Sequence, residues 1–130
     1  MDLPDTPPIA VFGRLAAHLG EVAVGGPSVD DWTHQADLVI HPGSASIVFT
    51  RWVLPRTADG LVVQQRTGSI KVQLGLFPPW QNTIVWVRED PYIAMVRLAG
   101  RRRTQLRAAL REAGLEVAES KPVLGAYFPP

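Results

Sequence analysis

The chain has 130 residues, of which 46% are hydrophobic and 19% charged, with a formal net charge of +1, 12 prolines, 11 glycines and no cysteine. That length and apolar fraction suit a single compact domain spanning 1–130, which buries about two thirds of its unfolded surface around one core. The missing cysteines exclude disulfides, thiolate chemistry, thioether-attached haem and cysteine zinc sites, and the apolar runs, IAVF at 9–12 and GLFPPW at 75–80, are too short for a transmembrane helix. Asp2 and Asp5 stand where a secretion signal carries basic residues, so a cytoplasmic location is expected.

The small net charge conceals two regions of opposite sign. Residues 1–40 hold Arg14 against six acidic residues, Asp2, Asp5, Glu21, Asp30, Asp31 and Asp37, while residues 41–130 hold twelve basic residues against six acidic ones. Within the second region Arg97, Arg101, Arg102, Arg103, Arg107 and Arg111 place six cations in fifteen residues with no carboxylate between them. Such a run reads either as a solvated helix face answered by the acidic N-terminal third or as an anion- or partner-binding patch.

In chain order, residues 1–8 form a proline-rich arm. Ile9, Phe12, Leu15, Ala16 and Leu19 then recur at helical spacing, with Gly20 as a stop, and predict an N-terminal helix over about 9–19. GGPSVDDWTHQ reads as a loop. From Ala36 the period changes: ADLVI, SASIVFTRWVL, GLVVQQRT, SIKVQLGLF and NTIVWV are short, β-branched and separated by turn residues, which predicts an antiparallel meander of five to seven strands over about 36–98. In SIKVQLGLF, Ile70, Val72, Leu74 and Leu76 take one face, and Lys71 and Gln73 a wet one. TIVWV is apolar on both faces and belongs at the centre of the sheet or beneath a helix.

Residues 91–99 admit two readings. Either the chain turns at Glu89, Asp90 and Pro91 into a sixth strand, YIAMVRL, or Asp90 caps a helix that begins at Pro91. The strand is favoured, because Ile93 and Val96 are poor helix formers and Gly100 would cost about 1 kcal/mol inside a helix. An amphipathic C-terminal helix over about 101–113 follows on either reading, with Leu106, Ala109, Leu110 and Ala113 as its apolar arc and Gly114 as its left-handed stop. GLEVAES reads as a short strand, and residues 121–130 as a proline-flanked strap carrying Tyr127 and Phe128.

The chemistry-bearing patterns are sparse. His34, Asp37 and His41 do not share one face, and neither HExxH nor a paired-histidine motif occurs, so no metal set and no cofactor is assigned. His18 lies off the apolar stripe and reads as exposed. No serine sits in GxSxG, the adjacent pairs Asp30–Asp31 and Glu89–Asp90 read as turn polarity, and no catalytic residue is assigned. Arg101, Arg102 and Arg103 fall in the first turn of the predicted helix, where the macrodipole disfavours cations. Either they mark an anion site or the helix begins at Pro91. Trp52 and Trp86 read as core, whereas Phe77, Pro78, Pro79 and Trp80 form an apolar hairpin tip, folded over the sheet edge or presented to a membrane surface or partner.

A meander of strands between Ala36 and Val87 followed by a helix at 101–113 resembles the pleckstrin-homology-like fold of small bacterial proteins. The resemblance implies binding of peptides, partner proteins or membrane phospholipids rather than catalysis. The expected function is a non-catalytic binding or assembly domain that engages a protein partner, a second copy or an anionic membrane surface. Its expected site is Arg97, Arg101, Arg102, Arg103, Arg107 and Arg111 with Phe77 and Trp80. The rival readings are nucleic-acid binding through the arginine cluster 97–111 and a small hydrolytic or ligand-binding enzyme.

Overall fold

The computed structural model describes residues 6–21, 34–52, 60–75 and 82–123. Along the chain run β1 (Ala10–Glu21), β2 (His34–His41), β3 (Ser44–Trp52), β4 (Val62–Gln65), β5 (Ser69–Gly75), β6 (Asn82–Glu89), β7 (Tyr92–Ala99), a 3-10 turn (Gly100–Arg102), α1 (Arg103–Glu112) and β8 (Glu116–Val123). The eight strands make one sheet in the order β4-β3-β2-β1-β7-β6-β5-β8. Every described strand pair is antiparallel except β5 with β8.

The expected N-terminal helix at 9–19 is not there; the segment is β1. Its helical spacing has a specific origin. Phe12, Leu15 and Ala17 are buried in the main core and Leu19 packs against it, as alternate residues of a strand should, but the register against β2 shifts between Phe12 and Leu15. Gly13 and Arg14 bulge out at that point. The extra residue opens one gap of three in a period of two, and a gap of three followed by gaps of two imitates a helical stripe. Arg14 takes a left-handed backbone conformation, φ 57°, and its N–H donates to Asp37 Oδ1 at 3.0 Å.

The bulge matters because β1 serves two neighbours. Residues 10–12 and 15–17 pair with β2, and residues 16–21 pair with β7. A bulged strand bends and twists more strongly than a regular one, so the sheet rolls about β1. Rolling brings β4, at one edge, over the β6–β7 hairpin. Gln64 N–H reaches Glu89 Oε1 at 3.4 Å, and Arg88 N–H donates to Gln65 Oε1 at 3.0 Å. The three residues 66–68, with Gly68 at φ 78°, then suffice to join β4 to β5, though the two strands lie six places apart in the sheet order.

The main core fills the rolled sheet: Phe12, Leu38, Ile40, Ile47, Phe49, Ile70, Val72, Val85 and Val96 meet Leu106, Ala109 and Leu110 of α1. The sixth strand and the helix after Gly100 follow the favoured reading, and Gly114, at φ 77°, ends the helix. Gly43 N–H in the β2–β3 turn donates to Ala113 O at 2.8 Å, so the hairpin tip ties down the helix C-terminus. The strands expected over about 36–98 are β2 to β7, but they do not form a meander by themselves: β1, where a helix was expected, inserts between β2 and β7, β4 and β5 are not paired among the described residues, and β8 adds to the sheet parallel to β5.

On the opposite face of β6 and β7 lies a second cluster, Ile84, Trp86, Ile93 and Met95. NTIVWV is therefore central and apolar on both sides for a reason. Gln73, assigned to a wet face, is 2% exposed instead, because its Oε1 accepts the indole N–H of Trp86 at 3.2 Å. Trp86 is buried as expected.

The bulge makes two predictions of opposite sign. Replacing Asp37 with alanine removes the acceptor of the Arg14 N–H and lowers stability by about 1 kcal/mol. Arg14→Gly relieves the left-handed conformation and raises stability by about 0.5 to 1 kcal/mol. Urea unfolding midpoints at unchanged m-value measure both.

Candidate functional site

The six arginines of the cluster do not form one patch. Arg97 is half-buried on β7 and registers with Ile84 and Ala16, on the sheet face opposite α1. Arg101 is exposed in the 3-10 turn. The Arg102 guanidinium carbon lies 4.6 Å from the centroid of the buried Phe12 ring, and Arg103 Nε donates to Thr83 Oγ1 at 3.3 Å. Arg107 Nε binds Glu119 Oε1 of β8, and Arg111 is exposed one turn further along α1.

These placements answer the question posed by three cations at a helix start. α1 has no acidic residue in its first turn and no side-chain cap, and β7 precedes it, so the helix does not begin at Pro91. Two of the cations instead turn away from the axis onto protein partners. Arg102 trades the unfavourable macrodipole for the face of Phe12, a contact that contributes about 0.5 to 2 kcal/mol when partly desolvated. Arg103 completes the hydrogen bonding of Thr83, which is fully buried.

Arg107 and Arg111 form one wall of the larger of two described clefts, about 660 Å³, between α1 and β8. Leu115 and Val117 supply apolar lining, and Glu116 and Glu119 the facing carboxylates. Glu119 is taken by Arg107, and Glu116 Oε2 accepts from Ser69 Oγ at 3.4 Å, toward β5. Among the described residues Arg111 has no ion-pair partner. Sequence reasoning found Arg107 and Arg111 but not Glu116 and Glu119, whose proximity follows only from β8 folding back beside the helix.

A second cleft, of about 520 Å³, lies where the roll of the sheet brings the β4–β5 turn against the β6–β7 hairpin; Gln64, Gln65, Arg66, Thr67, Arg88, Glu89 and Asp90 line it. Arg88 Nε pairs with Asp90 Oδ1 at 2.8 Å, and this contact holds the Arg88 guanidinium above its ordinary pKa, first by the hydrogen bond and then by the carboxylate charge. Behind the cleft Gln64 is 3% exposed, with Nε2 within 3.2 Å of Ser46 Oγ and 3.4 Å of Ser44 Oγ.

The histidines fall into two places. His18, expected to be exposed, is buried, and its ring stacks on that of His34 with centroids 6.3 Å apart. His41 is buried at the end of β2, and its Nδ1 has no hydrogen-bond partner among the described residues. Among the described residues no three metal-ligating side chains gather at one point, and no helix is long and apolar enough to cross a membrane. The expected hairpin tip with Phe77 and Trp80 lies outside the described residues. Comparison of the chain with protein-family models, with curated proteins and with solved structures gives no match.

The two neighbouring arginines should part company in stability. Arg102→Ala loses the contact with Phe12 and lowers stability by about 0.5 to 2 kcal/mol, whereas Arg101→Ala stays within about 0.5 kcal/mol of the parent. Thermal and urea unfolding of the two variants provide the measurement.

Proposed function

We propose that the chain is a non-catalytic binding module of the pleckstrin-homology-like kind, which engages an acidic segment of a partner protein along the cleft between α1 and β8. Seven antiparallel strands, in the order β4-β3-β2-β1-β7-β6-β5, rolled around a core and followed by a helix, support the fold half of this reading. β8, paired in parallel with β5, is a departure from it.

The observation that carries the functional half is Arg111. It stands exposed on the wall of the 660 Å³ cleft, one helical turn from Arg107 and with no ion-pair partner among the described residues, while Glu119 is taken by Arg107 and Glu116 turns to the Ser69 hydroxyl. A guanidinium in that position offers a planar fork to an incoming carboxylate, and Leu115 and Val117 offer apolar contact beside it. A protein segment is favoured over a polyanion such as nucleic acid because Arg102, Arg103 and Arg107 are held by Phe12, Thr83 and Glu119. What remains of the cluster is a point of recognition rather than a continuous basic surface.

Fluorescence anisotropy with a labelled glutamate-rich peptide tests the reading. Saturable binding is expected at low salt, weakened about tenfold or more by Arg111→Glu and left intact by Arg101→Glu. Binding insensitive to Arg111→Glu, or no binding, overturns it. Co-sedimentation with phosphatidylserine vesicles reads the membrane alternative, and light scattering reads self-association.

A further inference from the structure

We infer that the cleft between the β4–β5 turn and the β6–β7 hairpin is a second binding site, independent of the α1–β8 cleft, and that it takes a small zwitterion carrying an oxyanion and an ammonium group. Most of the polar side-chain atoms around the cleft are already used. Gln65 is engaged at both ends of its amide: Nε2 donates to Thr67 O and Ser69 O, both at 3.1 Å, and Oε1 accepts Arg88 N–H. Gln64, buried at the back, is held between Ser44, Ser46 and the Arg66 Nε, which donates to Gln64 Oε1 at 2.9 Å. The amide side chains therefore form a fixed floor.

The charged groups are fixed at one end and open at the other. Arg66 and Arg88 are each anchored through Nε, to Gln64 and to Asp90, and among the described residues their terminal Nη groups have no hydrogen-bond partner. Those are the donors that grip an oxyanion in a fork. Arg88 has its countercharge in Asp90. Arg66 does not: its partner is a neutral amide oxygen. Glu89 is in the converse position, since among the described residues its Oε1 accepts only the backbone N–H of Gln64. One cation and one anion therefore face the same cleft, each with a neutral partner and each lacking a countercharge among the described residues.

A ligand of one sign would satisfy one of these and be repelled by the other. A zwitterion satisfies both, with its oxyanion on the Nη groups of Arg66 and Arg88 and its ammonium on Glu89. The Thr67 hydroxyl stands on the same rim. A volume of about 520 Å³ holds a head-group-sized molecule. Two sources share this chemistry, a phosphorylated amine and a free α-amino acid.

The test is an amide NMR titration of the full chain with four probes: phosphoethanolamine, glycine, inorganic phosphate and ethanolamine. One or both zwitterions should move the resonances of Gln64 to Thr67 and Arg88 to Asp90, and which of them does so identifies the source. Phosphate and ethanolamine should bind about tenfold more weakly or not at all. Arg66→Gln and Glu89→Gln, both at the rim, should each weaken the zwitterion about tenfold while the remaining resonances keep their positions. Equal binding of phosphate alone or ethanolamine alone overturns the inference, as does a zwitterion response that either variant leaves unchanged or the absence of any shift from either zwitterion.

Discussion

The sheet depends on β1 being bent at Gly13 and Arg14. A straight strand of that length would pair with the same two neighbours in one flat layer and leave β4 and β5 at nearly opposite ends of the sheet, too far apart for residues 66–68 to connect. With the bulge, residues 10–12 follow β2 and residues 18–21 follow β7 in a different direction, and the sheet rolls until β4 meets the β6–β7 hairpin. Asp37 fixes the bend from the adjacent strand by accepting the Arg14 N–H. A side chain on β2 thereby sets the local path of β1.

Rolling the sheet creates an apolar trough, and α1 fills it. The helix starts badly, with three arginines and no cap, so its stability comes from tertiary contacts rather than from its own sequence. Leu106, Ala109 and Leu110 enter the core, Arg102 rests on Phe12, Arg103 on Thr83, and Gly43 holds the last turn by Ala113 O. Phe12 is thus in contact with the two features that define the fold, the edge of the bulge and the start of the helix.

The same geometry leaves two openings, one where α1 and β8 diverge and one where β4 is folded onto β6 and β7. In both, most polar atoms are consumed by the fold and a small number of charges is left over. Arg111 at the first cleft, and Arg66 with Glu89 at the second, are such residues. Surface arginines as a class say little about binding; an arginine beside a cleft whose neighbours are already paired says more, because no carboxylate among the described residues is paired with it.

Much of the fold was legible in the sequence. β-branched runs broken by turn residues marked the strands between Ala36 and Ala99, Gly100 separated β7 from the helix, and the Leu106, Ala109, Leu110 arc with Gly114 bounded α1, because these signals are local and each acts through the backbone of the residues that carry it. Three things were not legible. The bulge in β1 disguised a strand as a helix, since periodicity cannot distinguish an extra residue in a period of two from a turn of 3.6. The burial of Gln73 and His18 depended on which residues face them across the strands and at the sheet end, Trp86 and His34. The arginine run was visible as a charge cluster, but its division into structural and unengaged members was set by Phe12, Thr83 and Glu119, which come from β1, β6 and β8. Sequence determined the elements after β1, whose causes lie within a few residues; tertiary structure decided that β1 is a bulged strand and which charges remained available, because pairing and neutralisation depend on what lies near in space and not along the chain.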